Sequence, residues 1–191
     1  MITTGLILAA GESRRMGSPK ALLPHRGATF LDTLIALFEV RCSSTIVVLG
    51  AHAEAIRERT TRAATFVFNP DYLHGQTTSM QAGLRAVPGE SEGVLFTLVD
   101  HPAVAPATLD ALLLAPRTLV RVPRYREQRG HPIWFARDLI PEFLALPHTG
   151  AARDVVRAHV ADTEFLDLDD PGIGADIDDP AAYATLTGAA R

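Results

Sequence analysis

The stretch Gly5-Leu6-Ile7-Leu8-Ala9-Ala10, followed by Gly11-Glu12-Ser13-Arg14-Arg15-Met16-Gly17-Ser18-Pro19-Lys20, decides the fold of this chain. Its first part is an unbroken apolar run, which predicts a short strand covered on both faces. Its second part is polar and contains glycine, which predicts a loop at the carboxyl end of that strand. Ligands of open α/β sheets bind at such strand ends, so this loop lies in a favoured place.

The chemistry of this loop suits phosphate. Small residues let backbone N–H groups approach phosphate oxygens, and two arginines and a lysine add charge-assisted donors. Neither common nucleotide-binding loop, G-x-G-x-x-G or G-x-x-x-x-G-K-[ST], is present. From the residues alone, a phosphate-binding loop and a solvated basic turn both remain open.

Further apolar runs repeat the pattern of the first strand. Residues 45–49, 65–68 and 94–99 predict short buried strands, and segments with helical spacing separate them. This alternation predicts right-handed βαβ units and an α/β fold with a mostly parallel sheet. After about residue 117 the runs 119–123 and 131–135 flank a polar segment, which predicts an antiparallel excursion in the second half. Helices near 136–146 and 151–160 and a strand at 164–168 are expected to follow.

Length and charge restrict the class of protein. A chain of 191 residues without a linker predicts one domain, 1–191. The formal net charge of −4 gives no electrostatic support for binding nucleic acid or an acidic membrane. The longest apolar runs fall far short of the roughly 20 residues of a membrane span. The lone Cys42 cannot form an internal disulfide, which favours a cytoplasmic location.

Residues 8–20 resemble the signature L-A-A-G-x-S-x-R-M-G-x-P-K of nucleotidyltransferases, in the form typical of molybdenum cofactor guanylyl- and cytidylyltransferases. The resemblance implies a Rossmann-like three-layer α/β/α fold in which the loop wraps a nucleoside triphosphate. Arg15 and Lys20 would neutralise charge on the α-phosphate and the departing pyrophosphate. Arg14 falls at a variable position and is expected to face solvent.

A second block, residues 69–84, resembles the N-P-x4-G-x3-S-x3-G stretch that contacts base and ribose in that family. From the residues alone, Thr77, Thr78 and Ser79 predict the amino-terminal cap of a helix. A third block, residues 98–102, resembles L-x-D-x-P, whose aspartate, here Asp100, binds the metal. His101, where the family often has Gln, is expected in the pocket wall and not as a metal ligand.

The last blocks concern the metal and the acceptor. Residues 176–183 resemble D-I-D-T-P-E-D-Y, so Asp178 would complete a Mg²⁺ site, whereas Asp179 is expected to cap a helix. Residues 130–135 resemble the G-H/x-P-x-x-F segment of the acceptor pocket. Residues 147–153 resemble G-D-x-G-A-R without its acidic residue. Trp134 and Phe135 are expected in the core, and the seven histidines form no zinc-binding pattern.

These resemblances imply Mg²⁺-dependent nucleotidyl transfer from an NTP to a phosphorylated acceptor, the molybdenum cofactor, with release of pyrophosphate. A nucleotide-binding half of about 1–117 and an acceptor-binding half of about 118–191 are expected. CTP is favoured over GTP because Ala10 stands where guanylyl enzymes often have Gly. A molybdoenzyme or its maturation factor is the expected protein partner. The alternatives are another phosphorylated acceptor, such as a sugar phosphate, and a non-catalytic carrier that binds a pterin or nucleotide.

The expected site residues fall into four groups. The catalytic residues are Arg15, Lys20 and Asp100, and the metal ligands are Asp100 and Asp178. The nucleotide-binding residues are Leu8, Ala9, Ala10, Gly11, Ser13, Arg15, Lys20, Asn69, Gly75, Ser79 and Gly83. The acceptor-binding residues are Gly130, His131, Pro132 and Arg153.

Overall fold

The structure, a computed structural model, describes residues 1–115 and 117–188. Its strands are β1 (Thr3–Ala9), β2 (Pro24–His25), β3 (Ala28–Thr29), β4 (Ser44–Leu49), β5 (Thr65–Phe68), β6 (Gly93–Leu98), β7 (Val120–Tyr125), β8 (Gln128–Arg129), β9 (Ile133–Ala136) and β10 (Thr163–Asp167). Its α-helices are α1 (Phe30–Glu39), α2 (Ala53–Arg59), α3 (Gln76–Leu84), α4 (Pro106–Leu113), α5 (Ile140–Ala145), α6 (Ala152–Ala158) and α7 (Pro180–Thr187).

The central sheet has the strand order β10-β7-β9-β6-β1-β4-β5. The short strand β8 pairs with the carboxyl-terminal end of β7. Strands β6, β1, β4 and β5 run parallel, whereas β9 is antiparallel to both β6 and β7. β10 then pairs in parallel with β7. The predicted mostly parallel sheet and its antiparallel excursion are both confirmed. Strands β2 and β3 form a separate small hairpin.

The central strand β1 explains why the first apolar run has no polar interruption. All seven of its residues are buried, and successive side chains point to opposite faces of the sheet. Ile7 belongs to one core cluster together with Phe30 of α1, and Leu6 belongs to a second cluster together with Met80 of α3. Helices therefore cover both faces, which confirms the three-layer α/β/α arrangement.

Two helix starts test the capping predictions. Asp179 caps α7, as predicted, because its carboxylate accepts a hydrogen bond of 2.9 Å from the N–H of Ala182. The cap predicted at residues 77–79 is wrong, because α3 begins at Gln76 and its cap is Gly75. Gly75 has a φ of 111°, a conformation open to glycine, so the helix begins before the threonines. Thr78 instead donates to the carbonyls of Asp71 and Gly75.

None of the helices within residues 1–115 and 117–188 has the length and apolar character needed to cross a bilayer.

Candidate functional site

A cleft of about 470 Å³ opens at the carboxyl ends of the parallel strands β1 and β6. Most of its residues come from the end of β1 and the loop after it, the start of α3, the end of β6 and the segment before α7, and Ile56 of α2 and Tyr72 also contribute. Its lining residues are Leu8, Ala9, Ala10, Gly11, Ser13, Arg14, Arg15, Pro19, Lys20, Ala21, Ile56, Tyr72, Gly75, Gln76, Ser79, Leu98, Val99, Asp100, Asp176 and Asp178.

Ser13 organises the loop that follows β1. Its carbonyl accepts hydrogen bonds from the N–H groups of Met16 (2.9 Å) and Gly17 (3.2 Å). Its hydroxyl accepts a further hydrogen bond of 3.0 Å from the N–H of Lys20. Both Ser13, at φ 53°, and Gly17, at φ 71°, have left-handed backbone conformations that fold the loop back on itself. These bonds place Lys20 at the rim where β6 ends.

Lys20 brings together the two carboxylates predicted from distant motifs. Its Nζ donates to Asp100 Oδ2 over 3.1 Å and also to Asp178 Oδ1. Arg15 donates to the other oxygen of Asp178. The N–H of Ile177 donates to the carbonyl of Asp100 over 3.1 Å, which fixes the segment before α7 to the end of β6. The predicted catalytic and metal-binding side chains therefore lie in one cleft.

The charges in this cleft reinforce one another. Burial alone would raise the pKa of Asp100, but the hydrogen bond with His101 and the positive charge of Lys20 outweigh it and lower the pKa to about 2. Burial also opposes the charge of Lys20, yet its bonds to Asp178 and Asp100 raise its pKa above the ordinary value. The hydrogen bond from Lys20 lowers the pKa of Asp178, with help from Arg15. All three groups are therefore charged at neutral pH.

A third carboxylate completes the acidic cluster. Oxygens of Asp100, Asp176 and Asp178 all lie within 4.8 Å of one another. Hard carboxylate oxygens are the ligands that Mg²⁺ and Mn²⁺ prefer, so the donor set fits such an ion. Burial and the charges of Asp100 and Asp178 raise the pKa of Asp176. Asp176 was not among the expected ligands, although its position two residues before Asp178 was a signal that could have indicated it.

The expected nucleotide-binding residues divide into two groups. Those of the first loop, together with Gly75 and Ser79, line the cleft. Asn69 lies beneath it and is only 3% exposed, and its Nδ2 donates to the hydroxyls of Thr78 and Ser79 over 3.0 Å each. Asn69 thus holds the start of α3 and is not among the lining residues.

Gly83 lies between α3 and the sheet, away from the cleft. A Cβ on this residue would come within 2.4 Å of Leu6 Cδ1 and 2.7 Å of Val48 Cγ2. The missing side chain therefore lets α3 pack closely on β1 and β4. This packing, and not a place in the cleft wall, is the role of Gly83 in the structure.

A second cleft of about 360 Å³ adjoins the first, since Gln76 and Leu98 line both. Of the expected acceptor-binding residues, Gly130, His131 and Arg153 line it, and Pro132 does not. Gly130 has no room for a side chain, because a Cβ would lie 1.9 Å from the carbonyl oxygen of Ile173. The complete lining is Gln76, Phe96, Leu98, Val122, Arg129, Gly130, His131, Ile133, Ala151, Ala152, Arg153, Val156 and Arg157.

Other expectations have simple outcomes. Trp134 and Phe135 lie in the core, as predicted. Arg14 is exposed and pairs with Glu12. His101 was expected in the pocket wall but is not among the lining residues and is only 6% exposed, because a turn at the end of β6, in which its N–H donates to the Leu98 carbonyl, leaves it buried. Arg129 and Arg157 line the second cleft, although no motif had indicated either residue.

The class of protein follows from comparison with known families. Residues 5–163 match the family model described as the MobA-like NTP transferase domain, so the chain belongs to this nucleotidyltransferase family.

The relatives of this chain have names that describe different activities. Nicotine blue oxidoreductase from Paenarthrobacter nicotinovorans is 32% identical, with 92% of this chain and 91% of that protein covered. Molybdenum cofactor cytidylyltransferase from Escherichia coli K12 is 29% identical, with 94% and 93% covered. The solved structure of Rv0371C from Mycobacterium tuberculosis H37Rv, a manganese complex, is 29% identical with a TM-score of 0.84, and 98% of this chain and 99% of that chain are covered.

Proposed function

We propose that this protein transfers a nucleotidyl group from an NTP, preferably CTP, to a phosphorylated acceptor of the molybdenum cofactor type and releases pyrophosphate. The observation that carries the proposal is the position of Lys20, which contacts both Asp100 and Asp178 in the cleft formed by the glycine-bearing loop. Basic groups for a triphosphate and acidic groups for its metal thus lie within a few ångströms of one another. The match of residues 5–163 to the family supports the same reaction.

The transfer needs no nucleophile from the protein. An oxygen of the acceptor phosphate attacks the α-phosphorus, and the bond between that phosphorus and the oxygen leading to the β-phosphate breaks, so pyrophosphate leaves with the electron pair. Arg15 and Lys20 stabilise the charge on the α-phosphate and the departing pyrophosphate. N–H groups of the loop after β1 orient the phosphates. Positioning and charge stabilisation supply most of the rate.

Asp100 and Asp178, with Asp176 beside them, are the residues that would hold Mg²⁺. When bound, the ion would supply positive charge to phosphate oxygens. The mycobacterial relative forms a complex with manganese, which supports a divalent ion in this protein as well. The carboxylates of Asp100, Asp176 and Asp178 would be its ligands here. Magnesium is proposed because nucleotide phosphates complete its preferred octahedral set of oxygens.

The second cleft is proposed as the acceptor site. Arg129, Arg153 and Arg157 line it, and no carboxylate residue is among the lining residues that the structure describes. This cationic character suits a phosphorylated acceptor. Because this cleft shares Gln76 and Leu98 with the first, an acceptor phosphate bound there can approach the α-phosphate.

The floor of that cleft favours a flat, apolar acceptor over a sugar. Phe96, Leu98, Val122, Ile133 and Val156 contribute apolar side chains to it. Hydroxyls of a sugar phosphate would lose water there without gaining partners, which is costly. A fused heterocycle such as a pterin buries its faces against such a surface at lower cost. A sugar phosphate is therefore the second candidate acceptor.

The preference for CTP depends on Ala10. Ala10 lines the first cleft, where glycine would leave more room for a purine.

We also propose that residues of about 1–117 form a nucleotide-binding half and residues of about 118–191 form an acceptor-binding half. Asp176 and Asp178 are exceptions, because they belong to the second half and line the first cleft. Delivery of the product to a molybdoenzyme or its maturation factor, in the cytoplasm, completes the proposal.

Two other activities fit the acidic cluster less well. A non-catalytic carrier has no use for three converging carboxylates next to a lysine, since these repel an anionic ligand in the absence of a metal. Hydride transfer, suggested by the name of one relative, needs no such cluster either. The acidic cluster is therefore the feature that favours nucleotidyl transfer over both.

Pyrophosphate release tests the proposal. The protein is incubated with CTP, GTP, ATP or UTP, with Mg²⁺ or Mn²⁺, and with molybdenum cofactor, a sugar phosphate or no acceptor. We expect release only when metal and acceptor are both present, fastest with CTP and molybdenum cofactor. Asp178→Asn should abolish it, whereas the matched Asp179→Ser, which removes the neighbouring carboxylate but keeps a helix cap, should not. Absence of release with every pair, or NAD(P)H oxidation without release, contradicts the proposal.

A further inference from the structure

His101 is buried next to the Asp100 carboxylate and is not among the residues that line the cleft. Its Nδ1 is 3.0 Å from Asp100 Oδ1, and the other carboxylate oxygen, Oδ2, is 3.1 Å from Lys20 Nζ at the cleft. A carboxylate only accepts hydrogen bonds, so the Nδ1–H of His101 donates. The two oxygens of Asp100 therefore have separate partners, the buried His101 and Lys20, which lines the cleft.

The imidazole of His101 is held firmly in this position. Its ring packs edge-on against His131, with ring centroids 4.9 Å apart, and His131 in turn packs against Phe96 at 5.5 Å. The backbone N–H of His101 donates to the carbonyl of Leu98 over 3.3 Å. The ring is thus fixed by the core of the sheet, and it offers one donor to Asp100.

From this geometry we infer that His101 is a positioning residue, which holds one oxygen of Asp100 so that the other faces the metal and the phosphates. The inference rests on the proposed function, in which Asp100 is a metal ligand. Without the donor, the carboxylate is free to rotate about its side-chain bonds, and binding of the cation has to fix that rotation. Loss of such a supporting hydrogen bond typically lowers metal affinity about 10- to 100-fold.

Two substitutions separate the hydrogen bond from the packing. His101→Phe keeps a ring of similar size against His131 but removes the donor. His101→Asn loses the ring but places an amide N–H near the position of Nδ1–H. His25→Phe is the matched control, because His25 is also buried and also packs against an aromatic ring, that of Phe30. Asp100→Asn reports whether the acidic site binds metal at all.

The experiment is isothermal titration of the full chain with Mn²⁺ alone, without nucleotide, with thermal unfolding as the check on folding. We expect His101→Phe to weaken Mn²⁺ binding about tenfold, His101→Asn to restore it to within about threefold of the wild type, and His25→Phe to leave it unchanged. A role in packing alone predicts the reverse order, since Phe preserves the ring contacts and Asn does not.

The outcomes separate this inference from the proposed function. Weak binding by Asp100→Asn together with wild-type affinity of His101→Phe overturns the role of His101 and leaves the proposed metal site intact. Wild-type affinity of Asp100→Asn overturns both. If His101→Phe does not fold, His101→Met, an apolar side chain without a donor, takes its place under the same criteria.

Discussion

Replacement of Lys20 is predicted to change metal affinity and turnover in opposite directions. Lys20 is the only lysine in the 191 residues, so every other basic side chain is an arginine or a histidine. Its compact ammonium lies between Asp100 and Asp178, where a divalent cation would also be attracted. Lys20→Met keeps the length of the side chain and removes the charge. We expect this variant to bind free Mn²⁺ more tightly and to turn over far more slowly.

The magnitudes follow from the distances. The effect on metal affinity comes from the repulsion between the Lys20 ammonium and the bound cation. Two like unit charges about 4 Å apart repel each other by about 4 kcal/mol at an effective dielectric constant of about 20. Asp178 is partly exposed and the ion arrives hydrated, so we expect only about 1.4 kcal/mol of this, or about tenfold tighter Mn²⁺ binding. Loss of a charged donor to the transferring phosphate lowers kcat by about 10²- to 10³-fold.

Titration with Mn²⁺ and pyrophosphate release measure the two effects on one preparation. Lys20→Arg is the matched control for charge, because it keeps the positive charge in a larger, planar group. It should stay close to the wild type in Mn²⁺ affinity and still lose turnover, since the guanidinium does not fit the same space. Weaker Mn²⁺ binding by Lys20→Met, or turnover within about threefold of the wild type, would refute this reasoning.

Three further predictions concern residues outside the proposed chemistry. Gly83→Ala should destabilise the protein by about 1–3 kcal/mol in urea unfolding, because the added Cβ overlaps Leu6 and Val48; an unchanged midpoint argues against this packing. Asn69→Ala should cost about 1–3 kcal/mol and raise KM for the nucleotide, because two hydroxyls at the start of α3 lose their donor. Cys42 is half-buried and desolvation raises the pKa of its thiol to about 12, so the thiol should react with a disulfide reagent at pH 8 much more slowly in the folded than in the urea-unfolded chain; equal rates contradict this shielding.

The central part of the fold could be predicted from local sequence. The apolar run at residues 5–10 has no polar interruption because β1 is covered on both faces, and such runs are typical of parallel sheets. The order of the second-half strands could not be predicted in this way. β9 lies between β6 and β7, and this choice of neighbours depends on packing between distant segments, with Val94 and Val120 both opposite Phe135.

The residues of the site also divide into those that local sequence predicts and those that depend on the fold. Lys20, Asp100 and Asp178 could be identified because each belongs to a motif, and the structure brings them together. His101 directly follows Asp100, but its hydrogen bond to the Asp100 carboxylate depends on how the two side chains lie in the fold. Asp176 stands two residues before Asp178, which was a signal in the sequence, but its distances to Asp100 and Asp178 are known only from the structure. The bond from the N–H of Ile177 to Asp100 sets those distances, and it joins residues that are far apart in sequence.

The predicted cap of α3 was wrong for a local reason. Threonine and serine are good capping residues, so residues 77–79 predicted a helix start. Gly75 adopts a positive φ that gives the helix an earlier start, and the hydroxyl of Thr78 then bonds to carbonyls of the preceding turn. A conformation open mainly to glycine thus outweighed a preference for hydroxyl caps.

The central claim is that one cleft holds a nucleoside triphosphate and its metal between the loop after β1 and the acidic ends of two segments. A crystal structure with Mn²⁺ and a CTP analogue that cannot be cleaved at the α-phosphate tests it most directly. We predict an anomalous manganese peak bound by Asp100 and Asp178, with phosphate oxygens completing its coordination and Lys20 in contact with the triphosphate. A nucleotide bound elsewhere, or a manganese ion that contacts neither aspartate, would contradict the account.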